Sequence, residues 1–172
     1  KTVPNTLRNP LYHWTHLELK RYFGIEELLD ETTAESVWAR ANEQLATNDL
    51  RAHGILHRFH VKAVCTTDDP TDSLAFHQQI AAARLPTKVF PTFRPDKALN
   101  VHLPEQFNTW LGQLGAASDV DITNFQSFLD ALQQRHGFFH AQGCRLSDHG
   151  INSAFAEPCT EQQAAEIFEN AR

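Results

Sequence analysis

The chain has 172 residues, 41% of them hydrophobic, with 15 Lys and Arg against 21 Asp and Glu, a net charge of −6 and a pI near 5.9. That apolar content suits one globular domain with a sizeable core, and an acidic balance without a basic stripe argues against a nucleic-acid partner. No apolar run has the length of a membrane span, no signal-peptide pattern opens the chain, and the three cysteines are scattered without CxxC spacing, which together point to a cytoplasmic protein with reduced thiols.

Residues 1–59 read as helical. Asn9-Pro10 opens the first helix with proline in its first turn. Leu11, Trp14 or Thr15, Leu19 and Tyr22 then recur at helical spacing, and Gly24 stops the helix. After a turn at 26–30, Thr33 is the expected cap of a helix over 34–46, with Val37, Ala41 and Leu45 on one face. Asp49 is the expected cap of a third helix over 50–59.

From Val61 the period becomes that of strands. The stretch 61–66 reads as a strand, and Asp69-Pro70 reads as the start of a helix carrying Leu74, His77 or Gln78, and Ala81 on one face. Pro86 breaks that helix before a second strand over 88–93. A strand–helix–strand run of about thirty residues fits a βαβ unit of a parallel sheet. After a linker at 99–103 come helices over 105–114 and 122–140, the second capped by Asp121. A third strand is expected over 141–146, and Thr160 caps a final helix running to Arg172. The fold class is therefore α/β, an incomplete parallel architecture whose three strands would be left with open edges. The chain also begins with Lys1 and contains no methionine, so a processed chain or an excised stretch of a longer protein is expected.

Parallel α/β proteins build sites where buried strands deliver charged groups at their C-terminal ends. Three such ends occur here. At the first, Thr66 and Thr67 are expected hydrogen-bonding groups, Asp69 a helix N-cap, and Asp68 either a cap or a pocket-lining group. At the second, Arg94 needs an anionic partner. That partner is Asp96 or another internal carboxylate, or else a substrate carboxylate or phosphate held bidentately. At the third, Asp148 is an acid/base group, half of a metal-ligand pair with His149, or a helix cap. Ten histidines include the helically spaced sets His13/His16, His53/His57/His60 and His136/His140. None has an HExxH pattern or an adjoining cysteine, so they read as surface or packing groups. GxSxG, GxGxxG and P-loop patterns are all missing.

Four stretches carry a resemblance: Asn9-Pro-Leu-Tyr-His-Trp-Thr-His-Leu-Glu-Leu19, Thr66-Thr-Asp-Asp-Pro70 with Asp72-Ser-Leu74, Arg94-Pro-Asp-Lys97, and Gly143-Cys-x-x-Ser-Asp-His149. In order and approximate spacing they resemble the uronate (glucuronate) isomerase family over nearly the whole chain. The resemblance implies a distorted (β/α)8 TIM-type barrel of the amidohydrolase superfamily, a fold that usually needs about 250 residues. This chain would carry about strands two to four: a helical insertion region at 1–59, then a partial barrel at 60–172 with an extra helix at about 105–140.

The implied activity is aldose–ketose isomerisation in hexuronate catabolism, between D-glucuronate and D-fructuronate and between D-galacturonate and D-tagaturonate. The family's single divalent metal, commonly zinc, sits on an HxH pair and an Asp. No HxH occurs in this sequence, so no metal ligand is expected in this stretch, and the stretch alone is expected to be inactive. Arg94 matches the family arginine that pairs with the uronate carboxylate, and Asp148 matches an active-site aspartate that makes a polar contact or shuttles a proton. The expected partner is a small uronate sugar, with no nucleic acid or membrane, and self-association into a homo-oligomer is left open. Two other readings stay open. One is a metal-dependent hydrolase of the same superfamily. The other is a non-catalytic interaction module built on the helix with Tyr12, Trp14 and Tyr22.

Overall fold

Asn9 begins the first helix as its sequence suggests. Its extended backbone lets the side chain accept from the Leu11 N–H, Pro10 takes the first helical position, and α1 runs over Pro10–Phe23 to a left-handed Gly24. The computed structural model describes residues 2–152 and 157–172. They fall into two units, Lys1–Val61 and Lys62–Arg172.

Two helix starts in the first unit differ from expectation. Helix α2 covers Ala34–Leu45, but Thr33 has helical backbone angles and does not cap it with its side chain. Asp30 takes that task one turn earlier, accepting from the Thr32 and Thr33 N–H groups. The expected helix over 50–59 is interrupted. Asn48–Leu50 forms a 3-10 turn, Arg51 is extended, and α3 covers Ala52–Arg58. The break folds the turn back onto the helix so tightly that a Cβ on Gly54 would lie 2.2 Å from the Asn48 carbonyl oxygen. Only glycine fits there. His16 uses both ring nitrogens inside this unit: Nδ1 contacts the Tyr12 carbonyl at 2.7 Å and Nε2 accepts from the Leu29 N–H at 2.8 Å. It pins the turn after α1, which is the packing role.

In the second unit β1 (Ala63–Cys65) pairs in parallel with β2 (Lys88–Phe90), Val64 opposite Val89. The connection between them carries α4, Ala75–Ala82. This helix starts later than Asp69-Pro70 suggested. Asp69 accepts from the N–H and hydroxyl of Thr71, Asp72 accepts from the Leu74 N–H, and Leu74 itself is left-handed with φ 56°. Short acidic side chains thus spend their oxygens on a turn that competes with helix. Asp69 is no N-cap.

Three further helices complete the unit. After a 3-10 turn at Asp96–Leu99 comes α5, Pro104–Ser118. Helix α6, Phe125–Ala141, is capped by Asn124 in a reciprocal box with Ser127, not by Asp121. Helix α7, Glu161–Ala171, is capped by Thr160 as expected, and the structure adds a reciprocal box with Gln163. Phe107, Trp110, Leu114, Phe128 and Phe168 pack these helices into one core, and Leu74, Phe93, Phe139 and Cys144 form a second. Leu132 packs against both. Each fully buried side chain of this kind contributes about 1.5–3 kcal/mol.

The expected third strand over 141–146 is absent, and the segment after it meets the sheet through a single residue. Ala141 belongs to α6, and Gly143 turns the chain with φ 96°. Phe93 donates its N–H to the Leu146 carbonyl and accepts from the Asp148 N–H, giving one parallel bridge, Phe93 to Ser147. A longer parallel ladder would need N–H donors at residues 91 and 95. Both are proline, which has none. Pro91 and Pro95 bracket the bridge and hold it to one residue.

Candidate functional site

The candidate side chains sit just past the C-terminal ends of β1, β2 and the Phe93 bridge. Backbone pairing carries on there after the regular strands stop: Asp68 donates to the Thr92 carbonyl, and Arg94 donates to the Asp68 carbonyl at 3.0 Å. Asp68 reinforces this with its carboxylate. Oδ2 accepts from the Thr66 hydroxyl at 2.7 Å and from the Thr92 N–H at 3.2 Å. His77 closes the group, its Nε2 lying 2.7 Å from Thr66 Oγ1 and 3.7 Å from Asp68 Oδ1. Asp68 is buried and fastens the two strand ends, a structural use beyond either role the sequence suggested.

Arg94 and Asp148 meet directly. The Nη2 of Arg94 donates to Asp148 Oδ2 in a short ion pair, and Thr67 Oγ1 donates to the same oxygen at 3.4 Å. Asp96 lies 3.9 Å from Arg94 Nε, and its other contacts are His149 Nδ1 at 2.7 Å and the Gly150 N–H at 2.6 Å. The internal partner of Arg94 is therefore chiefly Asp148. Its hydrogen bond holds the guanidinium above the usual arginine range against some burial, with the charges of Asp148 and Asp96 adding to the effect. For Asp96, burial pushes the carboxyl up, but the Gly150 N–H, the His149 hydrogen bond and the charges of His149 and Arg94 together hold it below the usual carboxylate range. Two buried atoms have no hydrogen-bond partner among the described residues, Arg94 Nε and Asp148 Oδ1. Their side chains remain 35% and 37% exposed, so the pair is open to a small molecule.

Asp69 anchors a neighbouring group. It accepts the Trp110 indole N–H at 2.9 Å and pairs with Lys97 Nζ at 3.2 Å. Burial pushes its carboxyl up, but the Thr71 hydroxyl, the indole, the Thr71 N–H and Lys97 outweigh that and hold it below the usual range. Lys97 and Trp110 also line a cleft of about 420 Å³, which neither Arg94 nor Asp148 reaches.

Among the described residues no three His, Cys, Asp or Glu side chains converge as a donor set. The Asp148–His149 step is divided between Arg94 and Asp96. Of the other histidine sets, His136 packs edge-on against Phe93, and His140 lies beside Arg145.

Sequence reasoning missed three things: the Thr66–Asp68–His77 group, the Asp69–Trp110 bond and the buried Arg135. Arg135 donates to the carbonyls of Pro70, Ala117 and Asp72 at 2.7, 3.0 and 2.7 Å, and its guanidinium stacks 4.2 Å from the Phe138 ring. A signal for it existed. Phe128, Ala131, Arg135 and Phe139 share one buried stripe of α6, so an arginine in that stripe had to be buried with acceptors.

Comparison with known proteins covers nearly the whole chain. The sequence pattern of the glucuronate isomerase family covers residues 1–172. The uronate isomerase of Solibacter usitatus is 67% identical over 172 residues, covering 100% of this chain and 37% of that protein. That of Opitutus terrae is 54% identical over 170 residues, 99% of this chain and 36% of that protein. The crystal structure of uronate isomerase from Thermotoga maritima superposes with a TM-score of 0.89 at 32% identity, over 99% of this chain and 37% of that one. Glucuronate isomerase from Caulobacter crescentus superposes with a TM-score of 0.85 at 25% identity, over 95% and 34%. The chain spans little more than a third of the length of these relatives. Matched along its whole length in sequence and backbone, it belongs to the glucuronate isomerase family.

Proposed function

We propose that this chain serves a cytoplasmic uronate isomerase, at the C-terminal end of a (β/α)8 TIM-type barrel of amidohydrolase type, where Arg94 anchors the carboxylate of a hexuronate. The observation that carries this reading is the guanidinium of Arg94, 35% exposed just past a strand end, in a chain of the glucuronate isomerase family. A guanidinium has five N–H donors. Asp148 engages Nη2 and Asp96 lies beside the buried Nε, so a second, sugar-borne carboxylate is met by the N–H groups that remain on the two Nη atoms.

Isomerisation of glucuronate to fructuronate moves one proton from C2 to C1 and another from O2 to O1. The carboxylate at C6 does not react, and its binding energy holds the open-chain sugar in line for those transfers. An open-chain hexose extends about 6 Å from C6 to C1, by the usual reach of such a chain. An Asp148 bonded to the carboxylate anchor is thus at the far end from the reacting carbons. This supports the polar-contact role for Asp148, aligning Arg94, over the proton-shuttling role.

The test uses the protein that carries this chain at the length of its relatives, with D-glucuronate and D-galacturonate as substrates. Arg94→Lys replaces a fork by a point charge. It should lower kcat/KM on both sugars by on the order of 100-fold, mostly through KM, with the far-UV spectrum unchanged. Turnover of glucose or galactose as readily as their uronates, or an unaltered kcat/KM in the variant, would refute the carboxylate anchor.

A further inference from the structure

Parallel pairing between the Phe93 and Ser147 segments has a fixed offset, and the side chains keep it after the backbone stops. Phe93 pairs with Ser147, and one step on Arg94 pairs with Asp148. Two steps further, the Gly150 N–H would reach the carbonyl of residue 95 in a continuing ladder. Pro95 has no N–H to donate in return, and the ladder ends. The Gly150 N–H goes instead to Asp96 Oδ2 at 2.6 Å, while Asp96 Oδ1 takes His149 Nδ1 at 2.7 Å. One carboxylate therefore does the work of the missing ladder rung.

We infer that Asp96 is a positioning residue: by clamping Gly150 and His149 it seats the 148–150 segment, and so sets Asp148 on the guanidinium of Arg94. The clamp lies on both sides of the ion pair, since Asp96 Oδ2 also lies 3.9 Å from Arg94 Nε. The fit at Gly150 is close. A Cβ there would lie 3.3 Å from Arg94 Nη1 and 3.5 Å from Asp96 Oδ2. The segment thus approaches Arg94 with its bare backbone, which a larger residue would push away. Asp96 is ionised through the neutral range, because its carboxyl is held below the usual value, so the bond from Gly150 is charge-assisted.

The kinetic side of this role rests on the carboxylate-anchor reading above, and the experiment separates the two. In the full-length protein labelled with 15N-glycine, the Gly150 amide proton should resonate far downfield and exchange slowly. In Asp96→Ala it should move upfield and exchange at least ten-fold faster. On glucuronate, Asp96→Ala should raise KM about ten-fold or more while leaving kcat within about three-fold. Combined with Asp148→Asn it should add less than two-fold to KM, since what Asp96 supplies is the placement of Asp148. If Asp96→Ala does not fold, Asp96→Asn, which keeps one acceptor oxygen, takes its place in both measurements. An unchanged Gly150 amide overturns the clamp, and KM effects that multiply independently overturn its action through Asp148. A wild type that turns over no uronate sinks the anchor reading alone, and the Gly150 amide then decides the clamp.

Discussion

Arg94 and Asp148 stand 54 residues apart in the chain and meet as an ion pair, and the same spacing relates Asp96 to Gly150. Both pairs prolong the register of one parallel bridge. A single residue, Phe93, thus fixes which carboxylate faces which guanidinium.

The first consequence concerns Asp148. If it aligns Arg94 for a substrate carboxylate, Asp148→Asn should raise KM for glucuronate by about ten-fold and leave kcat within a few-fold. Steady-state kinetics at several pH values check this. A fall of kcat by 100-fold or more at unchanged KM, the size expected for loss of a general acid–base group, would return Asp148 to proton transfer.

A second concerns pH. The carboxyls of Asp69 and Asp96 are held below the usual range in the folded chain, whereas an unfolded Asp titrates near about 3.9. The folded state therefore binds fewer protons around that pH. The stabilisation these groups supply is complete above the unfolded value and is lost as pH falls through the folded values. The urea midpoint should drop as pH is lowered from about 5 to about 3, with a smaller drop in Asp69→Asn, whose amide does not titrate. At neutral pH, Asp69→Ala should cost about 1–3 kcal/mol, since the Trp110 and Thr71 N–H groups lose their acceptor.

Arg135 offers a third test. Arg135→Leu leaves the carbonyls of Pro70, Asp72 and Ala117 without this donor, in a region that buries Arg135 itself. Chemical denaturation should show a loss of about 2–4 kcal/mol. Arg135→Lys should recover less than half of it, because one ammonium lacks the geometry to serve three separate acceptors.

Gly143 is the fourth. It has φ 96°, and a Cβ there would lie 2.9 Å from Cδ1 of Phe90 on β2. Gly143→Ala should destabilise the protein by about 1–2 kcal/mol or more from backbone strain, before the clash is counted. Because the turn at Gly143 leads directly into the Asp148 segment, the variant should also raise KM for glucuronate. Thermal denaturation with parallel kinetics checks both effects.

Much of the helical layout was legible because its signals are local. Asn9-Pro10, Gly24 and Thr160 act within one turn of themselves, and the structure uses each as read. Thr33, Asp49, Asp69 and Asp121 misled for one shared reason. A polar residue before an apolar run caps a helix only if no nearby turn claims its oxygens or its place. Asp30 serves the turn at Thr33, and Thr71 holds Asp69. Asn124 outcompetes Asp121.

By itself the sequence determined that α4 crosses between two parallel strands, that Arg94 stands at a strand end where a charge needs an anion, and that four spaced motifs resemble one family. Tertiary structure alone decided the partners. Asp148 rather than Asp96 takes Arg94, Trp110 and Lys97 converge on Asp69, and three distant carbonyls receive Arg135. The physical reason is range. Helix caps, proline and glycine act over a few bonds, while the register that joins residues 54 apart exists only once the segments lie side by side. Pro91 and Pro95, visible in the sequence as turn-formers, show their effect only there, where the donors they lack end the third segment's ladder at Phe93.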